Sequence, residues 1–161
     1  MRRIRSEKDC EYYTFMKPVL FNLGLNNKDY TWLISDIDAI PRNEEILKAF
    51  DEEGYLLLST KELVEMLEKE DFQWICAVFS AIPSKYSKEE ILKYELPYID
   101  SFDERYDDYN PFGNNPKVQH PLAEFEICAW DSSGMFIVTD DESLISKFKE
   151  KYPKSCEGIF E

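Results

Sequence analysis

The chain has 161 residues, 33 Asp plus Glu against 19 Lys plus Arg, and a formal charge of -14. Hydrophobic residues make up 43% and aromatic residues 15% of it, which is enough for one packed core and excludes both a disordered chain and two full domains. A folded anionic body repels nucleic acid and anionic lipid and steers toward basic partners, so neither nucleic acid nor a membrane is an expected partner.

No stretch approaches the roughly 18–20 apolar residues that span a bilayer. The start, Met1-Arg2-Arg3-Ile4-Arg5, imitates the basic region of a signal peptide, but Glu7, Lys8, Asp9 and Glu11 follow it instead of an apolar run. Residues 1–8 are therefore a candidate disordered basic start, and a cytoplasmic protein is expected. Cys10, Cys76, Cys128 and Cys156 are far apart and form no CxxC; reduced thiols fit this pattern.

Tyr12, Phe15, Met16, Val19 and Leu20 recur at helical spacing, with Ser6 and Asp9 available to open a helix and Pro18 expected to end or kink it. Tyr30 to Ile34 reads as a strand. Asn43 caps a helix with Ile46, Leu47 and Phe50 on one face, closed by Gly54. Tyr55 to Leu58 is a strand, and Ser59 with Glu62 forms a capping box ahead of a helix that carries Leu63, Val64, Met66 and Leu67.

The run Phe72 to Phe79 is apolar on both faces and is the best candidate for a central strand. Ser87 and Glu90 form a second capping box before a short helix. Residues 97–121 hold four prolines, many acids and several tyrosines with no period, the signature of a long loop. Ala123, Phe125, Ile127 and Ala129 alternate with Glu124, Glu126, Cys128 and Trp130, which predicts a half-exposed strand. Asp131-Ser132-Ser133-Gly134 is a turn and Met135 to Val138 the hairpin partner. Thr139 and Glu142 form a third capping box before a helix with Leu144, Ile145, Phe148 and Tyr152, stopped by Pro153. This order predicts a single α+β domain over residues 1–161, with a mixed or antiparallel sheet, a C-terminal hairpin and helices packed on it. A doubly wound parallel fold is disfavoured, because no glycine-rich strand-to-helix turn occurs.

Four residues are weak catalytic candidates. His120, the only histidine, would act as a base oriented by Asp131 and serving Ser132 or Ser133, but no nucleophile signature accompanies it. Glu124 and Glu126, at period-2 spacing, would share one face of a strand and divide acid and base roles; the plain alternative is the polar face of a half-covered sheet. One His and scattered Cys make no zinc signature, and neither Asp36 and Asp38 nor the loop acids follow a calcium-binding order, so no metal and no cofactor is expected.

The acids fall in three segments, Asp36 to Glu53, Glu62 to Asp71 and Asp100 to Asp108, the last interleaved with Phe102, Tyr106, Tyr109 and Phe112. Acids that set on-rate beside aromatics that set affinity suit a binder of a basic protein. The candidate binding residues are Asp103, Glu104, Tyr106, Asp107, Asp108 and Tyr109, with Asp36 and Asp38 as a second set.

The stretch Glu70 to Leu96, with Glu-Asp-Phe-Gln-Trp-Ile, Val-Phe-Ser-Ala-Ile-Pro and Glu-Glu-Ile-Leu-Lys-Tyr-Glu-Leu-Pro-Tyr, together with Gln119 to Glu124 running into Ala129 to Ser133, resembles a family of small acidic bacterial proteins known only as a domain of unknown function. The likeness spans about Tyr30 to Tyr152 and implies a stand-alone bacterial cytoplasmic protein, with no activity or catalytic residue attached. In size, acidity and α+β order the chain is also similar in character to toxin-immunity proteins, which block a cognate toxin that is often a basic nuclease. The expected function is therefore a non-enzymatic acidic binding module of immunity type. The alternatives are a small hydrolase or metal-dependent enzyme using the carboxylates, and a structural protein or DNA mimic. Oligomeric state is not legible.

Overall fold

The computed structural model describes residues 1–6, 14–99, 116–132 and 134–157. The described residues form an antiparallel seven-stranded sheet with helices packed on it, an α+β domain. The strands are β1 (Arg2–Ser6), β2 (Tyr30–Ala39), β3 (Tyr55–Ser59), β4 (Trp74–Pro83), β5 (Phe125–Trp130), β6 (Gly134–Thr139) and β7 (Cys156–Glu157); the helices are α1 (Met16–Leu23), α2 (Glu44–Glu53), α3 (Thr60–Lys69), α4 (Lys88–Ile91) and α5 (Glu142–Lys151). The sheet order is β3-β2-β4-β5-β6-β1-β7, and every neighbouring pair is antiparallel. No helix among these residues is long and apolar enough to cross a membrane.

The apolar run around Trp74 does take an interior place in the sheet, hydrogen-bonded to β2 on one side and β5 on the other. Its odd positions Ala77, Phe79 and Ala81 enter the main core with Trp32, Ile34, Phe125, Ile127 and the buried faces of α1, α3 and α5. Val78 and Ile82 enter two smaller clusters on the opposite face, one with Ile99, Cys128 and Phe136 and one with Leu33 and Ile91. Both sheet faces are thus covered, which corrects the half-exposed reading of β5: Phe125 to Ala129 are all buried. Alternation of apolar and polar letters misled here because Glu126 and Cys128 are interior residues.

Local signals hold where the chemistry is local. Asn43 caps α2, Ser59–Glu62 and Ser87–Glu90 make complete capping boxes, and Gly54 closes α2 at φ 71°. Two signals read differently in the fold. Pro18 lies in the first turn of α1, where no intrahelical N–H bond is lost, so the helix begins near it and runs to Gly24 rather than ending there. α5 is capped by Asp141, whose carboxylate accepts from Ser143 N and Leu144 N, while Thr139 Oγ1 accepts from Asp141 N. The basic start is a strand: Arg2–Ser6 pairs with β6 and β7, and Arg2 makes ion pairs with Glu142 and Glu157.

Candidate functional site

The polar residues of the sheet interior converge where the chain returns to β5. Ser80, on β4, lies opposite Glu126, on β5. Glu126 is 1% exposed, and its carboxylate is filled by three neutral donors. Oε1 accepts from Ser80 Oγ at 3.0 Å and from His120 N at 3.0 Å, and Oε2 accepts from Gln119 N at 2.8 Å. The three donors favour the ionised form, but burial outweighs them and the carboxyl is pushed up from 4.5 to about 7.

Next to it, the ring of His120 points away from Glu126's carboxylate. Nε2 lies 3.1 Å from Ile91 O, Nδ1 accepts from Leu122 N at 3.2 Å, and Tyr94 packs edge-on against the ring. A backbone N–H can only donate, so Nδ1 carries no proton and Nε2 donates to the carbonyl. Burial holds the imidazole below its ordinary value. His120 is fully buried and neutral, an anchor between α4 and the return segment.

Those bonds secure a longer strap across the second sheet face. Ser35 Oγ donates to Pro97 O at 2.6 Å, and Asp36 Oδ2 accepts from Ile99 N at 2.6 Å. Tyr98 and Gln119 bond twice: Tyr98 N to Gln119 Oε1 at 3.0 Å and Gln119 Nε2 to Tyr98 O at 2.8 Å. Asp36 sits at φ 52°, next to the register shift between Ser35 and Asp38 in β2. That bulge turns its carboxylate to the strap, and Asp38 follows as an exposed residue opposite Cys76. Asp36 and Asp38 are therefore split by the bulge, one serving the fold and the other facing solvent.

The remaining catalytic candidates are dispersed. Glu124 lies at a bend before β5, where it accepts from Tyr30 Oη at 2.9 Å; Tyr30 packs with Trp32 and Phe125 on the main-core side. Burial first and Glu124 second push the Tyr30 phenol up to about 12. Glu124 and Glu126 accordingly have no common partner. Asp131 is beyond the opposite end of β5, roughly 17 Å of strand from Glu126, in a turn with φ 47° whose neighbour Ser132 bonds Ile75 O through its N–H. His120, Asp131 and Ser132 are thus not brought together, and Ser133 lies outside the described residues.

Asp103, Glu104, Tyr106, Asp107, Asp108 and Tyr109 also lie outside the described residues. Among the described residues, no group of three or more His, Cys, Asp or Glu is placed to hold a metal ion. Among the described residues, pockets open on the surface at two places that bear on the site. One of about 270 Å³ is bordered by Lys93, Tyr94, Leu96, Tyr98, Gln119 and Pro121, and one of about 510 Å³ by residues of the α1–β2 turn and α3 that include Lys28, Tyr30, Lys61 and Glu65. Neither is lined by His120, Glu126 or Asp131.

Sequence reasoning missed Ser80 and Gln119. Their signal was present in part: a serine inside Val78-Phe79-Ser80-Ala81-Ile82 must find a hydrogen-bond partner if that run is a central strand. Gln119 gave none, because its two bonds depend on Tyr98 being brought alongside. No protein-family model, no curated protein and no solved structure matches this chain.

Proposed function

We propose that this chain is a non-enzymatic binding protein that occupies a basic protein surface, in the manner of an immunity-type inhibitor, with the acidic and aromatic segment from Asp103 to Tyr109 as its main contact. The observation that carries this reading is the anchoring of that segment's two flanks. Ile99 is tied to Asp36, Tyr98 to Gln119, and Gln119 to Glu126. Recognition elements are commonly chain segments whose ends are set by a rigid scaffold, which lowers the ordering cost of binding.

Charge supports the same reading. α2 alone carries Glu44, Glu45, Asp51, Glu52 and Glu53 against Lys48, all exposed, and Leu47 on the same helix is 43% exposed. Acids of this density speed encounter with a cationic partner, and occlusion of that partner's basic site would be steric and electrostatic. The hydrolase alternative draws no support from the geometry, since Glu126 and His120 are sealed from solvent and Asp131 is remote.

The test is capture of partners by the tagged chain from its host at low salt, followed by elution with rising salt. A stoichiometric basic protein released in a narrow salt step is expected, and the variant Asp103→Asn/Glu104→Gln/Asp107→Asn/Asp108→Asn is expected to release it at lower salt. Retention that ignores both salt and these four carboxylates overturns the proposal.

A further inference from the structure

Both flanks of the strap hang on one carboxylate. Glu126 accepts from the N–H groups of the adjacent residues Gln119 and His120, and the Gln119 side chain in turn holds the Tyr98 backbone through two hydrogen bonds. Ile99 and Val118, one from each flank, pack on Val78, Cys128 and Phe136, so the strap covers that apolar cluster. Glu126 is 1% exposed, and its bonding partners, Ser80 Oγ and the two amides, are all neutral. A carboxylate taken out of water with no cation bonded to it is costly to keep ionised, and hydrogen bonds recover only part of that cost.

The site can hold the carboxyl in either state. Two of its donors are backbone N–H groups, which only donate, and the third is a serine hydroxyl, which can also accept. A protonated Glu126 therefore turns its O–H to Ser80 Oγ and still presents its oxygens to Gln119 N and His120 N. Among the described residues, the charged and titratable groups nearby lie around the carboxyl and are not bonded to it. Cys128, two residues along β5, is a buried thiol that burial pushes well up, so it stays neutral. His120 turns its ring to Ile91 O beside Tyr94, Tyr98 is reached only through Gln119, and Asp36 is bonded to Ile99 N. On β1, Arg3 lies in the same cross-strand row beyond Val138, its backbone roughly 10 Å away at two strand spacings. On α4, Lys88, Glu89 and Glu90 are exposed.

We propose that Glu126 is a proton-operated latch on the strap: with its proton the carboxyl seats Gln119 and His120 and the strap stays closed, and loss of the proton shifts residues 97–99 and 116–122 toward an open form that returns the carboxylate to water and uncovers Val78, Cys128 and Phe136. The direction follows from linkage. With the strap closed, burial raises the carboxyl from 4.5 to about 7, and an open, hydrated Glu126 returns toward 4.5. Closing therefore takes up a proton; closure is strongest below pH 4.5 and weakens as pH rises to about 7. His120 acts in the opposite sense, because burial holds its imidazole below 6.5, and a variant that retains His120 separates the two. The proposal does not rest on the basic-partner reading.

Hydrogen exchange of the Tyr98, Ile99, Gln119 and His120 amides at pH 5.5 and pH 8, corrected for intrinsic exchange rates, reads the opening. Ile127, paired on both sides within the sheet, marks global unfolding. The strap amides are expected to be less protected than Ile127 at both pH values, as local opening requires. From pH 5.5 to pH 8 their opening in the wild type, relative to Glu126→Gln, is expected to rise roughly ten- to thirtyfold, the change for one group moving between 4.5 and about 7. Should Glu126→Gln not fold, the wild type carries the test: the Glu126 side-chain carbon is expected to titrate near 7 by NMR, and the strap amides to open more at pH 8 than at pH 6.5. A carbon that titrates at its ordinary value overturns the proposal. So does strap opening indifferent to pH, a pH dependence that Glu126→Gln retains in full, or strap protection equal to that of Ile127.

Discussion

The carboxylate of Glu126 and the backbone N–H of His120 are 3.0 Å apart, and this bond joins two buried residues whose side chains burial drives in opposite directions. The carboxyl of Glu126 is raised to about 7, while the imidazole of His120 is lowered. Each disfavours its charged form for the same reason, removal from water.

Glu126 makes folding depend on pH. Its folded-state value lies above its ordinary value of 4.5, so folding takes up a proton between pH 4.5 and about 7. Its contribution is greatest below pH 4.5 and falls as pH rises through that window, by on the order of 3 kcal/mol. In Glu126→Gln the amide oxygen replaces Oε1, but the amide NH₂ meets Gln119 N–H, donor against donor. Urea unfolding is expected to show a variant weaker by about 1–3 kcal/mol at pH 5, with the gap shrinking by pH 8. An equal gap at both pH values would refute the assignment.

His120 contributes in the opposite sense. With its value depressed below 6.5, its stabilisation is complete above pH 6.5 and is lost as pH falls toward the folded-state value. Nitrogen NMR is expected to find the neutral tautomer protonated on Nε2, with a titration midpoint below that of an exposed imidazole. His120→Ala leaves Leu122 N unsatisfied, leaves Ile91 O with Tyr94 N as its remaining donor, and empties a buried ring site, and should cost roughly 2–3 kcal/mol at pH 8. A midpoint at or above 6.5 would contradict this role.

A third prediction concerns the main core. Trp32 Nε1 donates to Thr60 Oγ1 at 2.9 Å, and the Thr60 hydroxyl donates in turn to Tyr30 O at 3.3 Å. Thr60→Val keeps the shape and removes the acceptor, leaving a fully buried indole N–H unpaired. The expected loss is about 1–3 kcal/mol by denaturant unfolding; a loss near zero would show that the indole finds another partner.

Asp36 supplies the fourth. Asp36→Ala removes the acceptor for Ile99 N and places a β-carbon with no polar group at φ 52°. Loss of about 2 kcal/mol is expected, together with faster limited proteolysis between Ile99 and Pro116. Asp38→Ala, at the exposed neighbouring site, is the control and should leave the cleavage rate unchanged. Equal rates for both variants and wild type would mean that Asp36 does not hold the segment.

Helix ends were legible in the sequence wherever a side chain caps its own backbone: Asn43, Ser59 with Glu62, and Ser87 with Glu90 satisfy N–H groups two or three residues away. The interior position of β4 was legible too, because a run apolar at successive positions has two faces to bury. Pro18 was misread because proline marks the inside of a helix start as readily as its end, and only the neighbouring residues' placement tells which.

Composition and charge determined a single folded acidic body, and the order of residues along the chain determined its α+β order, its hairpin and most of its caps, since those follow from local hydrogen bonding and from the periods of helix and strand. Tertiary structure decided what the polar residues inside that body do. Glu126 reads as a surface acid until Ser80, Gln119 and His120 are brought to it from 46, 7 and 6 residues away, and Asp36 reads as half of a D-x-D pair until a bulge turns it toward Ile99 63 residues on. Burial and hydrogen-bond partners of that kind are properties of distant segments meeting, and no local pattern encodes which segments meet.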